Sequence, residues 1–401
     1  MKKQKAFIRE GVILALTFFA VFVSVVFYFY NTKSEPLKYF STEREAENPL
    51  VAEIKIPIEP PKRIVTHIKT PESVKAVYMS SWVAGSPEIR KTMIKLIEET
   101  ELNAVIIDVK DSTGRVAFVM EDPIVKNTGS YEKRIGDVEN LIDILHEKNI
   151  YVIARIAAFQ DPYLANKRPD ISPFRKSDGK LWKDYKGLAW VEPASEEVWD
   201  YLVAIGKESY NVGFDELNFD YIRFPSDGNM AEIRYRFYDS AQLTKAEQMR
   251  RFFEYLNKEL KPLGVPLSAD LFGMTMTNSD DLNIGQVLEN TLPYFDFVAP
   301  MVYPSHYPTG FHGYKNPASV PYEIIKISMD EGVRRAVIAS TSPNKLRPWL
   351  QDFDLGATYT ADMVRAQMKA TYDSGLNSWM LWDPSNKYTP AALIKEVAQI
   401  N

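Results

Sequence analysis

The sequence predicts an α/β protein, a (β/α)8 TIM barrel over residues 74–401 preceded by an N-terminal transmembrane helix and a tether. Three observations point there. From about residue 74, short β-branched apolar runs alternate with amphipathic stretches, which implies a parallel sheet. About eight such units spread over roughly 325 residues favour a closed barrel over an open doubly wound sheet. No Gly-rich phosphate loop follows the first run, which weighs against a nucleotide-binding open sheet.

The runs read as strands are, in order, "KAVYMSS" (75–81), "AVIIDVK" (104–110), "YVIARIAAF" (151–159) and "FDELNFDYI" (214–222). They continue with "VPLSADLFG" (265–273), "FDFVAPMVY" (295–303), "RRAVIAST" (334–341) and "NSWMLWD" (377–383). The intervening stretches carry helix signals. Ser86-Pro87 supplies an N-cap and an N1 proline. "TKAE" at 244–247 has capping-box spacing, and "TADM" opens a helix at Thr360 that closes near Gly375.

The chain has 401 residues, no cysteine and a formal net charge of -5. Mild acidity argues against a nucleic-acid binder, and the absence of Cys excludes disulfides and thiolate metal sites. Residues 1–10, "MKKQKAFIRE", form a basic flank expected to stay in the cytoplasm. Residues 11–30, "GVILALTFFAVFVSVVFYFY", are uncharged and long enough to cross a bilayer as a signal anchor. The run ends in bulky aromatics without a small-x-small motif, which favours an anchor over a cleaved signal peptide. Residues 31–73 read as a Pro-containing extracytoplasmic linker in which His67 is solvated.

The barrel assignment directs attention to the C-terminal ends of the strands, where such folds place their chemistry. Side chains two apart along a strand share a face. In the fourth run, Leu217, Phe219 and Tyr221 face the helices, while Glu216, Asn218 and Asp220 face the barrel interior. Asp220 emerges at the rim, with Arg223 beyond it as a cation that could hold the carboxylate ionised. The fifth run aligns Ser268 with Asp270, and the sixth directs inward either Pro300 and Val302 or, preferred because a Tyr hydroxyl at the rim can bond a carboxylate or a ligand, Met301 and Tyr303. The second aligns Asp108 with Lys110, the third offers Arg155, and the eighth gives Asp383 after Trp382. Asp215 and Glu216, early in their strand, read as partners in structural salt bridges. Asp108 and Asp383 serve equally well as caps of the helix that follows their strand.

Aromatic residues crowd the same rim. The long connection after the third run carries Tyr163, Trp182, Tyr185 and Trp190, and His306 follows the sixth run. Aromatic faces suit the C–H faces of sugar rings, and carboxylates and amides suit their hydroxyls.

"FDELNFDYIRFPSDG", with "YMSSW", "VIIDVKD", "ARIAAFQD", "AWVEPAS", "SADLFG" and "VAPMVYPSHY", resembles the bacterial "putative glycosyl hydrolase domain" family. The resemblance runs over nearly all of residues 74–390 and implies a (β/α)8 fold and glycosidic bond hydrolysis. More distantly, the fourth strand is similar to that of the α-amylase clan. Asp215 and Asp220 reproduce its Asp-to-nucleophile spacing, although Asn218 replaces the clan's Arg and Asp270 its acid Glu.

These readings combine into a membrane-anchored glycoside hydrolase that cleaves an extracytoplasmic polysaccharide. Asp220 and Asp270 are its catalytic pair. Asp108, Arg155, Trp190, Asn218, Arg223, Tyr303, His306, Trp382 and Asp383 are the candidate substrate-binding residues. No cofactor or metal is expected. A non-catalytic glycan-binding barrel is the alternative, and a metal-dependent hydrolase using Asp220, Asp270 and His306 is a weaker third.

Overall fold

The computed structural model describes residues 63–394. The basic flank, the predicted membrane span and most of the predicted linker therefore lie outside the described residues. Among the described residues, no helix is long and apolar enough to cross a membrane.

Eight parallel strands close into a barrel: β1 (Lys75–Met79), β2 (Ala104–Lys110), β3 (Tyr151–Ala157), β4 (Glu216–Asp220), β5 (Leu267–Phe272), β6 (Phe297–Met301), β7 (Trp349–Gln351) and β8 (Trp379–Trp382). Closure comes from β8 pairing back onto β1, with Val77 opposite Leu381. The main helices between them are α1 (Pro87–Glu98), α2 (Val138–Glu147), α3 (Glu196–Asn211), α4 (Lys245–Leu260), α5 (Leu288–Thr291), α6 (Pro321–Ile338) and α7 (Ala361–Asp373). Ser86 and Pro87 stand at the N-cap and N1 of α1, but the Ser86 side chain makes no cap hydrogen bond. Thr244 and Glu247 form a capping box at α4, and Thr360 caps α7.

The seventh strand is not where the sequence placed it. "RRAVIAST" forms the C-terminal end of α6 and the turn beyond it. Ile325, Ser328, Met329, Gly332, Arg335 and Ala336 are buried at helical spacing, whereas Val337 and Ile338 are 58% and 68% exposed. Burial on one helical stripe overrode the β-branched cluster. The true strand is three residues of "RPWLQD", too short and too close to Pro348 to show an alternating pattern.

Alternation along the strands divides two cores. Val77, Ile107, Leu217, Phe219, Leu271 and Leu381 pack outward against the helices. Tyr78, Ile106, Tyr151, Ile153, Ala299 and Met380 fill the barrel. β2 departs from this rule. Its register shifts between Asp108 and Lys110, so Lys110 leaves the face that Asp108 occupies. Lys110 is fully buried, pairs with Asp161 at 2.9 Å and donates to the Ala157 carbonyl. It is a structural cation and no part of the rim site.

The lower end of the barrel holds the other charges of β4. Glu216 pairs with Arg347 at 2.9 Å, both fully buried, and accepts from the Tyr151 hydroxyl. Asp215 accepts from the backbone N–H groups of Ile68 and Val152 and bonds His146 at 3.0 Å. The structural reading of both acids holds. The last part of the predicted linker, residues 63–73, lies against this end. Arg63 pairs with Asp143 at 2.6 Å, and Thr70 bonds Tyr151. His67 is exposed, as read, with its ring stacked on Tyr210 at a centroid distance of 4.0 Å.

Candidate active site

β4 delivers Asp220 to the C-terminal mouth, level with Ala157 of β3. The next residue, Tyr221, has φ 52°. A side-chain-bearing residue in this left-handed region costs on the order of 1 kcal/mol, a cost characteristic of functional sites. The inversion breaks the expected alternation. Tyr221 lines the cavity beside Asp220, and its N–H donates to Asp220 Oδ1 at 2.5 Å.

Arg155 rises from β3 into the centre of the mouth, and three carboxyl groups converge on it. Its Nη1 donates to Asp108 Oδ1 at 2.5 Å, its Nη2 donates to Asp220 Oδ2, and its Nε lies 3.8 Å from Asp270 Oδ2. One guanidinium therefore brings Asp220 and Asp270 to a common mouth. The expected counter-ion was Arg223, and this is corrected. Arg223 Nη1 donates to the Phe224 carbonyl and Ser226 Oγ, while Arg155 holds Asp220.

Asp270 is fastened from beneath. Asn218 Nδ2 and Trp349 Nε1 both donate to its Oδ1 at 2.9 Å. No described residue hydrogen-bonds its Oδ2. Burial, and then the Asp220 charge, push this carboxyl up to about 8, against the opposing pull of Arg155, Asn218 and Trp349. A value there favours the protonated form of Asp270 at neutral pH.

Trp349 was missed in the sequence because its strand was assigned elsewhere. Its N–H favours the ionised form of Asp270, so removing it raises that pKa further. Trp349→Phe is expected to move the alkaline limb of the pH–rate profile upward by about 0.5–1 pH unit. An unmoved limb would show that the indole does not tune the acid.

The cavity over these groups has a volume of about 430 Å³, and its walls include Tyr303, His306, Tyr307, Phe272, Met301 and Trp382. The Tyr303 phenol is held well above its ordinary pKa by burial and by the charges of Asp270 and Asp220, so it stays a donor. Trp382 stacks on Tyr78 with centroids 4.0 Å apart, and Arg155 lies 5.0 Å over its ring. His306 has its imidazole pKa lowered by burial. Gly273 completes the floor. A Cβ there would fall 2.5 Å from the Met301 carbonyl oxygen and 2.8 Å from the Tyr307 hydroxyl. Gly273→Ala should cost about 1–3 kcal/mol in denaturant unfolding, the usual penalty of overpacking.

Four candidate binding residues, Asp108, Trp190, Asn218 and Asp383, do not line the cavity. Asp108 is 3% exposed, with its oxygens taken by Tyr78 and Arg155, so it orients Arg155 from behind. Trp190 is 2% exposed, bonded to Asp184 and covered by Arg223 at 4.7 Å. Asp383 accepts from the Ser385 N–H, so its role is structural, but it caps a turn and not the helix its structural reading expected. Asn218, 1% exposed, meets Asp270 and Ser268 and acts on the carboxyl rather than on a ligand. Tyr78 went unnoticed as a site residue, although it stands in the "YMSSW" motif. Among the described residues, no group of three or more His, Asp or Glu is arranged to hold a metal ion.

The family described as "Putative glycosyl hydrolase domain" matches residues 76–388. The chain belongs to this family. It therefore stands among the glycoside hydrolases. A hypothetical protein from Ruminiclostridium thermocellum is 32% identical, with 52% of this chain and 98% of that one covered, at a TM-score of 0.45. The glycoside hydrolase domain of PgaB (BpsB) from Bordetella bronchiseptica shares the fold at 14% identity and a TM-score of 0.52, covering 78% of this chain and 94% of that one. The α-L-fucosidase isoenzyme 2 of Paenibacillus thiaminolyticus does so at 12% identity and a TM-score of 0.52, covering 80% of this chain and 47% of the other. No curated protein matches the chain.

Proposed function

We propose that this glycosyl hydrolase family member cleaves an extracytoplasmic polysaccharide with Asp220 and Asp270 as its two working carboxyl groups. One observation carries the reading: a carboxyl pushed up to about 8 shares a single guanidinium with a second carboxylate at the mouth of the barrel. A carboxyl that holds its proton beside a second carboxyl bound by an arginine supplies an acid and a nucleophile or base. Asp270 protonates the leaving oxygen, and Asp220, aligned by Arg155 and the Tyr221 N–H, attacks the anomeric carbon or activates water. Tyr303 and Trp382 hold the ring. Residues 11–30 anchor the chain in the cytoplasmic membrane with the N-terminus inside, so the substrate lies outside that membrane.

The test is release of reducing ends from a panel of envelope and matrix polysaccharides by the full chain and by Asp220→Asn. Turnover by the parent and its loss in the variant, with glycan binding and thermal stability retained, is the expected result. Equal turnover by both would remove Asp220 from the mechanism. Binding by the parent without cleavage of any polymer would favour the non-catalytic barrel.

A further inference from the structure

We infer that the site is built for an acidic sugar, and that the free edge of Arg223 receives its carboxylate. The inference rests on the hydrolase reading for the ligand being a sugar, but not for its charge. Six arginines are buried among the described residues: Arg90, Arg134, Arg155, Arg223, Arg335 and Arg347. Five of them meet a carboxylate: Arg90 meets Asp137, Arg134 meets Asp111, Arg155 meets Asp108 and Asp220, Arg335 meets Glu289, and Arg347 meets Glu216. Arg223 is the exception. It is 8% exposed, and no described carboxylate lies within ion-pair distance of it.

Taking an uncompensated cation out of water costs several kcal/mol in principle, which is why buried charges are normally paired. This chain keeps one on the wall of the cavity that it shares with Asp220 and Asp270. Rings brace the guanidinium rather than anions. It lies 4.7 Å over Trp190, 4.8 Å over Phe272 and 5.6 Å over Tyr221. Of its nitrogens only Nη1 is hydrogen-bonded within the chain, to the Phe224 carbonyl and Ser226 Oγ, each at 3.1 Å. The Nε–Nη2 edge is left without a partner among the described residues. That edge is the fork that matches a carboxylate through two parallel hydrogen bonds. Asp220, Asp184 and Asp227 act on Arg223 only from beyond contact range.

The site thus has a defined polarity. Two acids and the Arg155 that serves them face the scissile linkage, and a second, uncommitted cation faces another part of the ligand. A neutral sugar would leave Arg223 buried and unpaired in the complex as well. A uronic acid, or a sugar carrying a carboxyalkyl ether, would neutralise it.

The experiment measures the full chain in detergent, without turnover, by thermal shift and calorimetric titration with D-glucuronate, D-glucose and D-glucose 6-sulfate. At saturating glucuronate the expected result is a Tm rise of about 2–4 °C. Glucose should bind at least ~10-fold more weakly, the worth of a charge-assisted hydrogen-bond pair. Arg223→Gln should abolish the preference while leaving the unliganded Tm within a few degrees. Arg223→Lys keeps the charge but loses the fork, and is expected to bind glucuronate about 10-fold more weakly than the parent. It carries the test if the Gln variant does not fold. No shift with glucuronate, an equal shift with glucose, or an unchanged preference in both variants would overturn the inference. Tighter binding of the sulfate would overturn the carboxylate assignment. Because binding is read without cleavage, a chain that binds glucuronate through Arg223 yet cleaves no polysaccharide supports this inference while the hydrolase reading fails.

Discussion

Asp270→Asn should lower kcat by about 10²–10⁴, the contribution of a positioned general acid. Asparagine preserves the shape of the carboxyl, and its amide oxygen still accepts from Asn218 and Trp349, so the loss falls on proton transfer alone. The alkaline limb set by a group near 8 should disappear with the proton. Stability should move the other way. The Asp270 pKa in the folded chain lies above its ordinary 3.8. Its favourable contribution is thus complete below the unfolded value and is lost as pH rises through about 8. Between those limits each pH unit costs up to ~1.4 kcal/mol, so the variant should become more stable than the parent at pH 7–8 and lose that advantage near pH 4. Urea unfolding of both proteins at pH 5 and pH 8 checks the sign. A site that sacrifices stability for a poised acid predicts the crossover, and a purely structural Asp270 does not.

Arg155→Met should be the most destabilising single change at the mouth. It leaves Asp108, Asp220 and Asp270 buried without their shared cation. Removing one partner from a buried ionic cluster typically costs about 3–5 kcal/mol. The pH dependence identifies the cause. Asp108 and Asp270 are already raised by burial, with Arg155 among the groups holding them down. Without Arg155 their folded pKa values rise further, so the deficit should be large at pH 7 and shrink as pH falls toward 4 and the carboxyls take up protons. Activity should fall with it, because Arg155 is also what aligns Asp220. A deficit equal at pH 5 and pH 7 would mean that the loss is one of packing, not of charge.

Much of this site was legible in the sequence, for a specific physical reason. Period-two alternation on β4 and β5 put Asn218, Asp220 and Asp270 on the inner face, and the barrel's directionality put the last two at its mouth. On β6 the same rule allowed two inward pairs, and the value of a Tyr hydroxyl at the rim selected Met301 and Tyr303, which do line the cavity. The rule failed where the backbone stopped alternating. Tyr221 turned into the cavity through a positive φ, and Lys110 turned out of it through a register shift. Long-range pairings stayed hidden. The choice between Arg155 and Arg223 as the partner of Asp220 depends on which rotamer reaches across β3 to β4, and no local pattern encodes that. Trp349 was lost with its strand, since three residues after a proline carry too little periodicity to outweigh the β-branched tail of α6. The burial of Trp190 followed from the packing of the long loop after β3, where Trp182 donates to the Asn229 carbonyl and Glu192 accepts backbone N–H groups of residues 236–238.

The central claim is that Asp270 carries a proton at neutral pH because it is buried and, second to that, because Asp220 lies beside it. The most direct measurement is a carbon-13 NMR titration of the Asp270 carboxyl, followed in the parent and in Asp220→Asn. The account predicts a midpoint of about 8 in the parent and a clear fall in the variant. A midpoint near 4, or one that does not move when the Asp220 charge is removed, would contradict it.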